Sequence, residues 1–224
     1  MHIKPLKTHL IQVGESLNDI LNAYVPPLEE GSILAITSKI ISLCQGRVVD
    51  KEDVGDKYAL IEQEADAYLS ENERNAYDIY LTITNGILIP SAGIDESNGN
   101  GVYILFPEDI QDTATLIWNT LRQRDKIDSL GIIITDSHTT PLRRGVTGIS
   151  LGWCGFEPLY SYVGKPDIYG TNLRVTHINN LDALVASSVL LMVEAAEQTP
   201  LALITQDPRI KFLARPPTLE EINS

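Results

Sequence analysis

Two cysteines, two methionines and two tryptophans stand among 224 residues, and aromatic residues make up only 6% of the chain. Cys44 and Cys154 belong to no CxxC pair and have no second pair beside them, which excludes a structural zinc site and a disulfide framework. Thiols this sparse suit a reducing compartment, and the chain is expected to be cytoplasmic. Cations are scarce too: 17 Lys and Arg against 30 Asp and Glu leave a formal charge of −13. A surface that acidic repels phosphate backbones and anionic headgroups, so neither nucleic acid nor a membrane is an expected partner. A phosphorylated ligand would need local cations or a metal to overcome the field. Long apolar runs are missing; the most apolar stretch, 185–193, is broken by Ser187 and Ser188 and is too short to span a bilayer. The first residues lack the apolar stretch of a signal peptide. GxxxxGK(S/T), GxGxxG after a strand, HExxH and GxSxG are all absent, which leaves a P-loop NTPase and a dinucleotide oxidoreductase without support.

What is present is ordinary globular material, 43% hydrophobic and 21% charged. The length suits one large domain or two small ones, and with no linker in sight the chain is taken as a single domain over 1–224, in one or two lobes, with 216–224 as a peripheral tail after Pro216-Pro217. Ser16 and Asp19 make a capping pair for a helix whose apolar positions are Leu17, Ile20, Leu21 and Tyr24. Residues 32–37 form a buried strand, and 57–77 an acidic helix unbroken by Gly or Pro. Residues 80–83 and 86–89 read as a hairpin, and 102–106 as a strand. A helix then presents Ile110, Ala114, Ile117 and Leu121 on one face. The clearest buried strand, 130–135, ends at Asp136. Weak periodicity marks 137–180, a helix is expected over 182–197, and a last strand over 201–204. Hairpin pairs interleaved with helices argue for an α+β fold, mixed sheets with flanking helices.

Four regions carry chemistry-bearing residues. Asp136, followed by Ser137 and His138, stands at the end of an apolar strand. Such a carboxylate serves either as a Mg²⁺ or Mn²⁺ ligand facing a crevice or as a cap for the following turn. Asp95 and Asn98 lie beside Gly93, in a stretch whose Asp, Ser and Asn are also common turn formers. Pro141-Leu142-Arg143-Arg144-Gly145 is either an anion clamp or a surface pair bridged to nearby carboxylates. Ser38-Lys39 and Gly46-Arg47 add cations at and beyond the end of the 32–37 strand. Two carboxylates, several cations and glycine turns suit a metal-bound polyphosphate better than a hydrolytic triad. His9 and His138 have no catalytic pattern, and Cys44 is expected in the core or a pocket wall.

Taken in order, Ser38-Lys-Ile-Ile-Ser42, Gly46-Arg-Val-Val-Asp50, Ala92-Gly-Ile-Asp95-Glu-Ser-Asn98, Ile134-Thr-Asp136, Arg143-Arg-Gly145 and Asp167-Ile-Tyr-Gly170 with Leu173-Arg-Val-Thr176 resemble the coenzyme F420-0:γ-glutamyl ligase family, from about His9 to Ile204. The resemblance implies a two-lobed fold in an intertwined homodimer. It implies a GTP-dependent amide ligase, with ATP left open as the alternative nucleotide of a divergent branch, joining L-glutamate through its amine to a carboxylate of a deazaflavin acceptor, with Mg²⁺ or Mn²⁺ and K⁺ near the nucleotide. Carried over by position, Asp95, Asp136 and Ser137 would hold the divalent metal. Thr8, His9, Leu10, Ile11, Ser38, Lys39, Asn98, Met192 and Glu194 would meet the nucleotide. Asp95 and Asp136, with Arg143 and Arg144 on phosphate or substrate carboxylates, would make up the catalytic set.

Two departures mark a divergent branch. Leu43 stands where the family has a second Lys, and Val193-Glu-Ala-Ala-Glu197-Gln198 replaces a Gly-dense loop, although Val and Ala take φ > 0 less readily than Gly. The acceptor could then be a folate or another pterin. A metal-dependent phosphohydrolase and a non-catalytic binding protein are the competing readings.

Overall fold

In the computed structural model, residues 1–69, 80–140, 142–205, 207 and 209–222 are described. The chain begins with β1 (His2–Leu6), α1 (Leu17–Tyr24), β2 (Ser32–Thr37), α2 (Ser38–Gln45), β3 (Val48–Asp50) and α3 (Lys57–Glu64). It continues through β4 (Ala67–Tyr68), β5 (Leu81–Thr84), β6 (Ile87–Pro90), β7 (Val102–Ile104) and α4 (Ile110–Asp125). Then come β8 (Leu130–Thr139), β9 (Val146–Cys154), β10 (Leu159–Ser161), β11 (His177–Asn179), α5 (Asn180–Met192), β12 (Leu201–Thr205) and α6 (Leu219–Ile222). The α+β class expected from the sequence is the one observed.

The two apolar runs, β2 and β8, lie side by side and parallel inside a five-stranded sheet of order β1-β12-β2-β8-β9, whose other pairings are antiparallel. A strand covered on both faces reads as a continuous apolar run, because each alternate side chain meets its own layer. One parity of β2 and β8, Leu34, Ile36, Ile132 and Ile134, packs with α1, α2 and α4 residues such as Ile20, Ile41 and Leu121. The other parity, Ile33 and Ile133, packs with Trp153, Phe156 and the α5 residues Leu184 and Val185. Outside this sheet are a β3–β7 ribbon and a β4-β5-β6 sheet, beside a small core of Ile61, Tyr80 and Ala92. The expected hairpin forms between β5 and β6; its turn, Asn85-Gly86, has positive φ at both residues, 52° and 73°, the geometry that suits the twist of the flanking strands.

Several boundaries differ from the sequence reading. The acidic helix over 57–77 stops at Glu64: Ala65 is extended, and Ala67–Tyr68 pairs with β5, a tertiary partner that no local propensity reveals. Positions 70–77 of that expectation lie outside the described residues. Strand β8 does not end at Asp136 but runs to Thr139, paired from Ile132 onward with β9, a nine-residue strand inside the stretch of weak periodicity. The helix expected to 197 stops at Met192, where Val193 takes φ 58°, ψ −177°. The terminal segment carries α6, whose Ile222 packs against the Phe156 and Leu181 cluster, with Arg215 paired to Glu221. The strand β1 and the helix α2 had no counterpart in the sequence reading.

Candidate active site

The adjacent parallel strands β2 and β8 end on the same side of the sheet, and a crevice opens there, where the carboxyl ends of parallel strands usually receive ligands. Helix α2 follows β2 without a loop, with Thr37 as its N-cap. Its first turn therefore brings Lys39 to the crevice, while Ser38 is buried. On β8 a bulge between Ile134 and Thr135 shifts the register against β9 just before Asp136, a device that re-aims side chains near sites. The resulting cleft, about 270 Å³, is walled by Thr8 to Ile11, Lys39, Leu43, Asp95, Asn98, Asp136, Ser137 and the loop from Val193 to Pro200.

Asp95 is held by a two-way backbone bridge to Ile104, each N–H···O 2.9 Å, which ties it to β7. The Lys39 Nζ sits 2.6 Å from Asp95 Oδ2 and donates to Ser97 Oγ at 3.2 Å. The other Asp95 oxygen accepts from the Ser97 N–H at 2.6 Å and its hydroxyl at 2.7 Å. Asp136 is partly buried; its Oδ1 accepts from the Ser137 N–H at 2.8 Å. Burial pushes the Asp136 carboxyl up to about 7; the Ser137 N–H and Lys39 oppose that shift, and the Asp95 and Glu194 charges add to it. Ser137 Oγ donates to Glu194 Oε2 at 3.3 Å. Among the described lining residues Lys39 is the one permanent cation, against Asp95, Asp136, Glu194 and Glu197. A polyanion can enter so acidic a cleft only with counter-cations, and oxygen donors of this kind select hard ones.

The loop from Val193 to Pro200 is tied down at several points. The Thr8 N–H donates to Gln198 O at 2.9 Å, the Thr37 N–H to Pro200 O at 3.0 Å, and Asn98 Nδ2 to Ala195 O at 3.2 Å. Val193 and Gln198 adopt φ of 58° and 59° without being glycine. For Val193, with ψ near 180°, this region is essentially reserved for glycine, so the tethers hold a strained residue.

The structure thus brings Thr8, His9, Leu10, Ile11, Lys39, Asn98, Met192, Glu194, Asp95, Asp136 and Ser137 to one cleft. Met192 is buried there against Ala35 and Ala202. Arg143 and Arg144 are elsewhere. They stand exposed where the β8–β9 hairpin turns, beyond Thr139, three strand residues and therefore roughly 10 Å past Asp136. Neither makes an ion pair among the described residues, and Pro141 beside them lies outside those residues. Arg47 also leaves the cleft, since its guanidinium pairs with Glu64 at 2.5 Å and Glu108 at 3.3 Å. Sequence reasoning missed Thr37 and Ile40 as lining residues. It also missed a chain in which Glu15 Oε2 meets His9 Nε2 at 2.7 Å and His9 Nδ1 meets Tyr24 Oη at 2.7 Å. That helical spacing placed Tyr24 beside the helix face was the only signal. Cys44, half-buried, and Cys154, buried, have thiols pushed up to about 11 by burial, so neither is poised as a nucleophile.

Comparison with known proteins follows the same span. The family described as F420-0:Gamma-glutamyl ligase matches residues 5–206. Coenzyme F420:L-glutamate ligase of Methanopyrus kandleri is 30% identical over 204 residues, 85% of this chain and 80% of that protein. The protein of the same name from Methanothermobacter thermautotrophicus is 29% identical over 222 residues, 89% of this chain and 88% of its own. That of Methanocaldococcus jannaschii is 28% identical over 220 residues. Among the described residues no helix is long and apolar enough to cross a membrane.

Proposed function

This chain belongs to the F420-0:γ-glutamyl ligase family, and from that membership we propose that it is a nucleotide-dependent amide ligase that adds L-glutamate, through its amine, to the carboxylate of a deazaflavin-type acceptor. The observation that carries the reading is the convergence of Lys39, Asp95, Asn98, Asp136, Ser137 and Glu194 on one cleft from separate elements. A carboxylate does not acylate an amine until one oxygen becomes a leaving group. In the proposed reaction an acceptor carboxylate oxygen attacks the γ-phosphorus of GTP or ATP, and the bond to the β–γ bridging oxygen breaks. Nucleoside diphosphate leaves, and an acyl phosphate remains. The glutamate amine, having lost one proton to solvent, attacks the acyl carbon, the carbon–oxygen bond to phosphate breaks, and the nitrogen's second proton passes to the departing inorganic phosphate or solvent.

In this reading Lys39, oriented by Asp95 and Ser97, faces the phosphates, and Asn98 fixes the 193–200 loop over the nucleotide. Asp95, Asp136 and the Ser137 hydroxyl would hold Mg²⁺ or Mn²⁺, with Glu194 beside them. No cluster of three or more His, Cys, Asp or Glu side chains poised around a metal occurs among the described residues. A hard cation that keeps most of its waters fits such a site, because it needs only one or two carboxylates. The divalent ion, when bound, neutralises charge on the phosphate oxygens. K⁺ near the nucleotide, a homodimer and a single two-lobed domain over the chain belong to the same proposal, and a folate or other pterin is the alternative acceptor.

The test is calorimetric titration of GTP and ATP with and without Mg²⁺ or Mn²⁺, followed by transfer of labelled glutamate to deazaflavin and pterin acceptors. Metal-dependent binding and labelled product are expected; a folded protein that binds neither nucleotide refutes the reading. The apolar Leu43 in the cleft wall and the strained Val193 favour one second reading, a binding protein without turnover. Under it Asp136→Asn would leave ligand binding intact, whereas under the first it would abolish ligation.

A further inference from the structure

Beside the cleft, and outside its lining, four segments bring together Lys51 past β3, Lys57 at the start of α3, Glu96 next to Asp95, and Tyr103 in β7. The Lys57 ammonium is paired to Glu96 Oε1, and Lys51 Nζ is 3.5 Å from Glu96 Oε2. Both ammonium groups approach the Tyr103 ring, at 5.1 and 5.9 Å from its centre. The backbone around them is hydrogen-bonded. Val49 pairs with Tyr103, the Lys51 N–H donates to Gly101 O at 2.9 Å, and the next residue of β7, Ile104, is the one bridged to Asp95.

Arg122, Arg124, Arg209, Lys211 and Arg215 each have a carboxylate of their own. Lys51 and Lys57 share one, and none of Asp50, Glu52, Asp53 and Asp56 pairs with either ammonium. At contact distance these three side chains carry two positive charges against one negative. The three side chains remain 34–43% exposed, so a solute can replace their mutual contacts.

Two cations and one anion are the mirror of L-glutamate, which carries two carboxylates and one ammonium. In the proposed ligation only the amine reacts, so both carboxylates stay available as handles. We propose that Lys51, Lys57 and Glu96, walled by Tyr103, form the subsite for the incoming amino acid, a dicarboxylic one. The lysines take its two carboxylates, and Glu96 takes its ammonium. Glu96 follows Asp95 by one peptide, about 3.8 Å between Cα atoms, so the amine waits at the rim of the cleft where the acyl group forms. A purely anionic acceptor would meet the Glu96 charge unpaired, which is why the amino acid is the better fit.

This inference rests on the ligase reading, and its test separates the two. Lys51→Gln, Lys57→Gln and Glu96→Gln are compared with wild type for the L-glutamate KM, for inhibition by glutarate, which has both carboxylates and no amine, and for nucleotide Kd by calorimetry. Each lysine change raises both the glutamate KM and the glutarate Ki about tenfold, the worth of a charge-assisted contact. Glu96→Gln raises the glutamate KM but not the glutarate Ki, a split that a merely structural role would not produce. Nucleotide Kd stays within about twofold throughout. A Lys51→Gln/Lys57→Gln protein that ligates with the wild-type glutamate KM overturns the subsite while leaving the ligase standing. If wild type transfers no glutamate at all, the ligase reading falls, and direct titration of L-glutamate decides the subsite: binding lost in the double variant upholds it, and no binding by wild type overturns it.

Discussion

Asp136→Asn tests the electrostatics of the cleft directly. Asn keeps the shape of the side chain and an oxygen to accept the Ser137 N–H, but it carries no charge. In the folded protein burial, with Asp95 and Glu194, pushes the Asp136 carboxyl from 3.8 up to about 7. The sign follows from linkage. A folded-state value above the unfolded one means that the native state holds a proton the unfolded chain has lost, so the ionised group opposes folding increasingly as pH rises from about 4 to about 7. At 1.36 kcal/mol per unit, the full penalty above pH 7 is at most about 4 kcal/mol, and between pH 5 and pH 8 it grows by about 3 kcal/mol. The assay is urea unfolding of metal-free wild type and variant at both pH values. The variant should gain over wild type, and the gain should be larger at pH 8 by about 3 kcal/mol, or roughly 6–12 °C in Tm for a chain of this size. Added Mn²⁺ at about a hundred times its Kd should then stabilise wild type by about 2.7 kcal/mol and the variant hardly at all. Equal gains at pH 5 and pH 8 would refute the reasoning, because no buried charge would then be at stake.

Leu43 lines the cleft, so Leu43→Lys places an ammonium among carboxylates facing the phosphates, and calorimetry should show nucleotide binding about tenfold tighter; unchanged affinity would mean the position does not face the ligand. Val193→Gly removes a strain of about 1–3 kcal/mol and adds an unfolded-state entropy cost of about 0.5–1 kcal/mol, so the protein should melt about 2–4 °C higher. A lower Tm would show that φ 58° at Val193 carries no strain. Arg143→Ala with Arg144→Ala should leave nucleotide Kd within about twofold, since both stand beyond the end of β8, away from the cleft; a loss greater than fivefold would place them on the phosphates.

The sequence by itself determined the class and the frame. The runs 32–37 and 130–135 are almost continuously apolar, with Ser32 and Thr135 the buried polar exceptions, and such continuity marks strands covered on both faces, so β2 and the first part of β8 were legible. The α4 face, with Ile110, Ala114, Ile117 and Leu121, was legible because burial on a helix repeats every three to four residues. The ordered residues around Asp95, Asp136 and Asp167 were enough to identify the family. The tertiary structure alone decided the rest. Strand β9 is nearly invisible locally, because its pairing with β8 comes from contacts made across the sheet and not from its own periodicity. That pairing puts Asp136 inside a strand and carries Arg143 and Arg144 out to the hairpin tip. The 193–200 loop depends on tethers from Thr8, Thr37 and Asn98, residues far away in sequence. Nothing in their spacing along the chain joins Lys51 and Lys57 to Glu96; their contacts arise only in the folded structure. Burial patterns are written residue by residue along the chain; the meeting of distant polar groups is written only in the registers and crossings of the folded sheet.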